Sequence, residues 1–389
     1  MLSSTLTRTS VNRTILSRVM HMSTIITQAT ASTPSHRAAL LAAEAANSSL
    51  ELPSPPRTTI GGSSMIPVFT DLRSFREWRT QAFRDGKSVG FVPTMGALHE
   101  GHMSLVNRSL QENDLTVLSI FVNPAQFAPH EDLSSYPRTL DADLATLART
   151  SFTHPSTPQM IRTPSAVFLP SVRDMYPSGI IQDVENQKGT FVEVKGYGHQ
   201  MEGMSRPTFF RGVATVVTKL FNSVQPSNAY FGQKDIQQAL IMRRMVRDLL
   251  LAHPTPQNLH IVPTHRSPTD GLALSSRNAY LSPIERSFAP TLFNALTEAQ
   301  RAWENGSTRS KCLRRANEIV GNAIVESEKK GVSMRSDYIE MNDPETFEVV
   351  DERMTVDEGK PVVLSGAVWV GKTRLIDNFL LGDCNGLLV

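Results

Sequence analysis

Cysteine is nearly absent: 389 residues contain two, Cys312 and Cys384. They can form neither a disulfide framework nor a four-ligand zinc site, so a reducing compartment is expected. No run of about eighteen consecutive apolar residues occurs, which excludes a membrane-spanning helix. Neither sign of charge dominates. The 39 Lys and Arg against 37 Asp and Glu leave a formal net charge of +2, and nothing global draws the chain to nucleic acid or to an anionic membrane. Acidic residues are missing altogether before Glu44, while Arg8, Arg13, Arg18 and Arg37 sit in Ser- and Thr-rich sequence. Such a composition suits an organellar transit peptide or a disordered extension. Residues 1–64 are assigned to one or the other, which leaves cytoplasm and mitochondrion as alternative locations.

What remains is ordinary for a soluble globular protein, with 40% hydrophobic and 20% charged residues and length enough for two domains. Asp71 should cap a helix over residues 72–85. Residues 88–92 read as a short buried strand, 103–113 as a helix and 115–122 as a long apolar, β-branched strand. Strand, helix and strand in so short a span make a βαβ unit, hence a parallel sheet. The alternation continues with a strand at 167–169, a helix at 213–224, a strand at 229–231, a helix at 236–250 and a strand at 260–262. This predicts a doubly wound α/β, Rossmann-like domain over residues 65–265. Residues 266–389 differ: helical stretches at 283–303 and 311–329 precede strands at 338–341 and 362–370, a smaller α+β lid domain. Residues 151–165 read as a surface loop.

The first strand runs into Pro93-Thr94-Met95-Gly96-Ala97-Leu98-His99-Glu100-Gly101-His102, followed by a helix. In an open α/β sheet ligands bind at such strand-to-helix turns, and a helix start offers free N–H groups and partial positive charge to phosphate. Gly96 and Gly101 allow close approach of the backbone. His99 and His102, three apart, should face one side and donate hydrogen bonds to a leaving pyrophosphate. The H-x-G-H arrangement is a signature of nucleotidyl transfer. Two histidines three apart could also ligate a metal, but neither the zinc-protease spacing nor a third ligand is present.

More of the chain matches than these four residues. Phe91 to His102, Ser119-Ile120-Phe121-Val122-Asn123-Pro124-Ala125-Gln126-Phe127, Glu131-Asp132-Leu133-Ser134-Ser135-Tyr136-Pro137-Arg138, Phe210-Arg211-Gly212-Val213, Phe231-Gly232-Gln233-Lys234-Asp235-Ile236-Gln237-Gln238 and Asp270 to Asn278 occur in order. They resemble the pantoate–β-alanine ligase (pantothenate synthetase) family, in its fungal-like form with an N-terminal extension, from Val68 to about Leu380. The resemblance implies an ATP-dependent ligase. Pantoate attacks ATP to give pantoyl adenylate and pyrophosphate, and β-alanine then displaces AMP. It implies that ATP contacts Met95, Gly96, Ala97, Leu98, His99, Glu100, Gly101 and His102, then Gly232, Gln233, Lys234 and Asp235, then Leu274, Ser275, Ser276 and Arg277. His102, His99, Lys234 and Arg277 would carry catalysis, and Gln126 and Gln238 would hold pantoate, with Gln126 also facing β-alanine. Mg²⁺ is expected with ATP, assisted through water by Asp141 or Asp143, and Tyr136 would wall the site. A homodimer is expected, the apolar region around Ser119 contributing. One departure stands out: Phe209 occupies a position where relatives usually have His, which puts weight on nearby Arg206.

Gly366-Ala367-Val368-Trp369-Val370-Gly371-Lys372-Thr373 fits the P-loop pattern. We reject it, because residues 362–370 read as one strand with bulky side chains in the supposed phosphate cradle. Two alternatives to the ligase are another H-x-G-H nucleotidyltransferase and a non-enzymatic descendant. Gln126 with Gln238 speaks against the first. Intact His99, His102, Lys234 and Arg277 speak against the second.

Overall fold

A computed structural model describes residues 66–129, 131–155, 158–384 and 386–387; the extension assigned to residues 1–64 lies outside them. The strands are β1 (Val68–Phe69), β2 (Val89–Thr94), β3 (Leu115–Ile120), β4 (Phe152–Thr153), β5 (Ile161–Arg162), β6 (Ala166–Phe168), β7 (Asn228–Gly232), β8 (Leu259–Val262), β9 (Met334–Asn342), β10 (Val362–Val370) and β11 (Thr373–Leu381). The helices are α1 (Leu72–Arg84), α2 (Glu100–Glu112), α3 (Leu140–Ala148), α4 (Val172–Met175), α5 (Glu202–Ser205), α6 (Phe209–Val224), α7 (Ile236–Asp248), α8 (Pro283–Phe288), α9 (Thr291–Glu304) and α10 (Arg309–Lys329).

Local chemistry sets several boundaries. Asp71 caps α1 by accepting from Ser74 N at 2.9 Å. The expected helix over 283–303 is two helices, because Pro290 has no N–H to continue a ladder and instead caps α9. The buried Arg79 of α1 donates to Val224 O and Gln225 O, both at 2.9 Å, which satisfies carbonyls at the C-terminus of α6.

Six parallel strands lie in the order β1-β6-β3-β2-β7-β8. The chain builds outward from β2 through β3 and β6 on one side and through β7 and β8 on the other. The reversal makes β2 and β7 flank a crevice at their carboxyl ends. This is the doubly wound sheet expected from the sequence, with β1 as an additional edge strand. β3 is buried on both faces between β2 and β6, with Ser119 fully covered. The Ser119 region therefore cannot form a dimer interface, contrary to the expectation above. The stretch 151–165 is not wholly loop either: β4 and β5 pair as a short antiparallel hairpin. Arg162 anchors it to the end of α2 through Leu110 O and Gln111 O.

The C-terminal part carries an antiparallel sheet, β11-β10-β9, packed on α9 and α10 around Leu292, Leu296 and Trp303. β10 is buried on both faces. Val362, Leu364, Val368 and Val370 join the core made with these helices, while Val363 and Ala367 join the core beneath the parallel sheet. Gly371-Lys372 is the turn between β10 and β11, so the P-loop pattern falls on a β-hairpin in which a strand, not a helix, starts at Thr373. β11 was not anticipated.

Candidate active site

At the end of β2 the chain turns through Met95–Leu98 into α2. His99 is the N-cap of that helix and its Nδ1 accepts from Gly101 N at 3.1 Å. His102 reaches back, its Nδ1 accepting from His99 N at 3.4 Å. Two histidines thus complete a reciprocal capping box, a role usually filled by Ser or Thr with Glu or Gln. A nitrogen that accepts from N–H carries no proton, so both neutral rings hold theirs on Nε2. The ring centroids are 4.1 Å apart. Capping therefore fixes the tautomer that presents Nε2–H donors.

Both rings are neutral at physiological pH. Burial pushes His99 down from 6.5 to about 4, assisted by Lys234 and His265 and opposed by Asp235. Burial, then the charges of His99 and Lys234, push His102 down to about 3. The unfolded chain binds more protons than the folded one between these values and 6.5, so stability rises with pH across that window and is lost as pH falls through it. For His99 the loss reaches on the order of 2 kcal/mol by pH 5. We expect a melting temperature several degrees lower at pH 5 than at pH 7, and a clearly flatter dependence in a His99→Gln/His102→Gln variant. Equal slopes in thermal melts of the two proteins would refute this cause.

A cavity of about 230 Å³ opens at the β2–β7 crevice. Its lining brings together Met95, His99, Gly101, His102, Gln126, Gly232, Lys234, Asp235, Gln238, Leu274, Ser275, Ser276 and Arg277. A larger space of about 1310 Å³ shares Arg206, Lys234, Gln238 and Arg277 with it and is walled further out by Trp369 and Arg374 of the C-terminal sheet. Gly96, Ala97, Leu98, Glu100 and Gln233, assigned to ATP from the sequence, do not line the inner cavity. The N–H groups of Ala97 and Leu98 are taken by Asp143, at 3.0 and 2.8 Å. Gln233 is buried and donates to Asn378 of β11.

Gln126 sits on a 3-10 turn after β3. Asn123, 1% exposed, donates to Gln126 Oε1 at 3.1 Å and to Gly212 O at 3.2 Å, and accepts from Tyr176 Oη at 2.6 Å. Gln126 Nε2 then donates to Met95 Sδ at 3.1 Å. Of the Gln-Gln pair, Gln238 faces the cavity. Gln237 is buried, accepts from Glu202 N and donates to Tyr197 O and Gln200 O.

Two arginines meet carboxylates at the mouth. Arg206 Nε and Nη2 donate to Glu131 at 2.6 and 2.7 Å, and its guanidinium lies 3.8 Å from the centre of the Phe209 ring. Phe209 thus supplies a stacking face to the guanidinium. Arg277 Nε and Nη2 donate to Asp132 at 3.0 and 2.9 Å. Lys234 Nζ is 3.6 Å from Asp235. Tyr136 is a buried wall of the cavity. Arg374 of β11 grips Glu202 of α5 at 2.6 and 3.0 Å, linking the C-terminal sheet to the helix that ends at Arg206.

Residues 67–380 match the family model for pantoate-beta-alanine ligase. The chain belongs to the pantoate–β-alanine ligase family. A pantothenate synthetase of Herpetosiphon aurantiacus is 44% identical, over 81% of the chain and 100% of the relative. The pantoate–β-alanine ligase of Saccharomyces cerevisiae is 40% identical over the same shares, in keeping with a fungal-like form. Pantothenate synthetase from Thermus thermophilus superposes with a TM-score of 0.64 at 38% identity, covering 80% of this chain and 98% of that one. A pantoate-beta-alanine ligase of Francisella tularensis, solved with beta-gamma ATP and beta-alanine, gives a TM-score of 0.59 at 29% identity, covering 81% and 97%.

Several residues that build the family's cleft here were not singled out from the sequence. Asn123 had a local signal, as an Asn beginning an Asn-Pro turn. Thr264 and His265 follow β8 at the same sheet end as the other loops and line the cavity. Gly212 lies in the Phe210–Val213 block, but nothing local gives it a role, because its importance lies in what packs against it.

Proposed function

We propose that the chain joins pantoate to β-alanine in two half-reactions through a pantoyl adenylate. The overall activity is that of an ATP-dependent pantoate–β-alanine ligase. A pantoate carboxylate oxygen attacks the α-phosphorus of ATP, and the bond to the bridging oxygen breaks to release pyrophosphate. The amine of β-alanine then attacks the acyl carbon, loses a proton, and AMP departs. One observation carries this reading: the paired Nε2–H donors share a cavity with Gln126 and Gln238. Neutral donors stabilise charge as it develops on the leaving pyrophosphate, in a site partly screened from water. Lys234, Ser275, Ser276 and Arg277 add charge and hydroxyl donors on the phosphate side. The two amides, each a donor and an acceptor, suit the hydroxyls and carboxylate of pantoate. Residues 266–389 act as the lid; Trp369 and Arg374 at the outer wall support that assignment.

Magnesium enters with the substrate as MgATP. Among the described residues no group of three or more His, Cys, Asp or Glu is placed to hold a metal. Mg²⁺ carried by phosphates and water needs few protein ligands. We take the assembly to be a homodimer, formed elsewhere than at β3. No helix among the described residues is long and apolar enough to cross a membrane; placement in cytoplasm or mitochondrion rests on the composition of residues 1–64.

The test is exchange of labelled pyrophosphate into ATP. It should require pantoate, proceed without β-alanine, and fail with other small hydroxy acids. Folded protein that makes pantothenate but shows no exchange would rule out the free adenylate.

A further inference from the structure

We infer that Asp143 is a positioning residue for the histidine pair, filling an anion nest that the sequence offers to ATP. This rests on the adenylation reading above. The turn between β2 and α2 places two successive residues in the left-handed region, Gly96 at φ +83° and the non-glycine Ala97 at φ +51°. Such a turn aims consecutive N–H groups at one point and makes an anion-binding concavity. Left-handed geometry at Ala97 costs about 1 kcal/mol or more and persists only where the surroundings impose it.

The anion at that point belongs to the protein. Asp143, 2% exposed on α3, accepts from Ala97 N through one carboxylate oxygen and from Leu98 N through the other. Thr139 Oγ1 donates to it at 3.2 Å. The rest of the turn is fastened too: Gly96 N donates to Thr94 Oγ1, and Ser276 Oγ donates to Ala97 O at 3.1 Å. No N–H of residues 96–98 is left for phosphate. Leu98 directly precedes His99, so a carboxylate that fixes the Ala97 and Leu98 amides fixes where α2 begins and where both imidazoles point. A carboxylate so engaged is also poorly placed to assist Mg²⁺, the role the sequence suggested for Asp141 or Asp143. Asp141 is exposed on the same helix.

Asp143→Asn keeps the shape but turns one acceptor into an NH2 facing an N–H. In the full chain, kcat for pyrophosphate exchange should fall about 100-fold, as for a misplaced catalytic group. The KM for ATP and the Mg²⁺ concentration at half-maximal rate should stay within about twofold. A rate loss that high Mg²⁺ restores would make Asp143 a metal-assisting group and overturn the proposal, as would kcat within about twofold of the parent. If Asp143→Asn does not fold, Thr139→Val, which removes only the hydroxyl, must still lower kcat several-fold with unchanged Mg²⁺ demand; an unaltered rate overturns the proposal. Imidazole ¹⁵N shifts judge it without any reaction: His99 and His102 should be fixed Nε2–H tautomers in the parent and mixed in the variant. Unchanged shifts in folded variant overturn it, whereas a parent without exchange counts only against the adenylation reading.

Discussion

His102→Ala should slow pyrophosphate–ATP exchange by about 100- to 1,000-fold, the usual cost of losing one positioned donor to developing charge. The expectation rests on direction as well as proximity. Because Nδ1 of His102 is spent on the His99 amide, its Nε2–H is the donor, and burial keeps the ring neutral with a pKa of about 3. The loss should appear in kcat more than in the KM for ATP, since Lys234, Ser275 and Arg277, proposed above for the phosphate side, stay in place. The substitution also removes a cap, at about 1 kcal/mol. His102→Asn separates the two effects, because the amide oxygen can accept from His99 N while offering no Nε2–H equivalent. Exchange should stay low in both variants, with stability partly regained in the second. Near-normal exchange in His102→Ala would take this residue out of the mechanism.

Gly212→Ala should raise the KM for pantoate tenfold or more and lower the melting temperature. A Cβ at this position of α6 would lie 2.1 Å from Ala125 O and 2.7 Å from Gln126 N, so helix and turn must separate. The position of Cβ is set by the backbone, so no side-chain rotation relieves its clash with Ala125 O. Overpacking of this kind costs about 1–3 kcal/mol, and each kcal/mol shifts the melting temperature about 2–4 °C in domains of 150–250 residues. The displaced turn carries Gln126, and it also carries Asn123, which donates to Gly212 O. ATP binding should change little, because the atoms nearest that Cβ belong to Ala125 and Gln126 rather than to the histidine or Lys234 turns. Unchanged pantoate kinetics, measured beside ATP binding by calorimetry, would show that Gln126 tolerates the shift.

Much of this was legible in the chain. β-branched runs broken by amphipathic stretches gave the order of strands and helices, because burial on both faces leaves an unmistakable pattern at residues such as Val117 and Leu118. Motif and strand end together placed His99 and His102. Long-range pairing was not legible. Nothing local says that Asp143 serves Ala97 and Leu98, that Glu131 grips Arg206, or that Gly212 must be small, since each depends on chains meeting across dozens of residues. β11 was passed over because Thr373–Leu381 mixes Arg374, Asp377 and Asn378 among its apolar residues, and those polar groups are bonded to Glu202, Arg266 and Gln233 rather than left to solvent. Ser119 misled for the opposite reason: an apolar run signals burial, whether inside a sheet or between subunits.

The carboxylates of Glu131 and Asp132 already sit on the Nε–Nη2 edges of Arg206 and Arg277. A tethered group of this kind acts at an effective concentration in the millimolar range. An anionic ligand seeking either edge is then a competitor in an exchange reaction, gaining only the difference between its own contact and the internal one. An inhibitor for this cleft would gain more by filling the space beside Gln238 than by displacing either carboxylate.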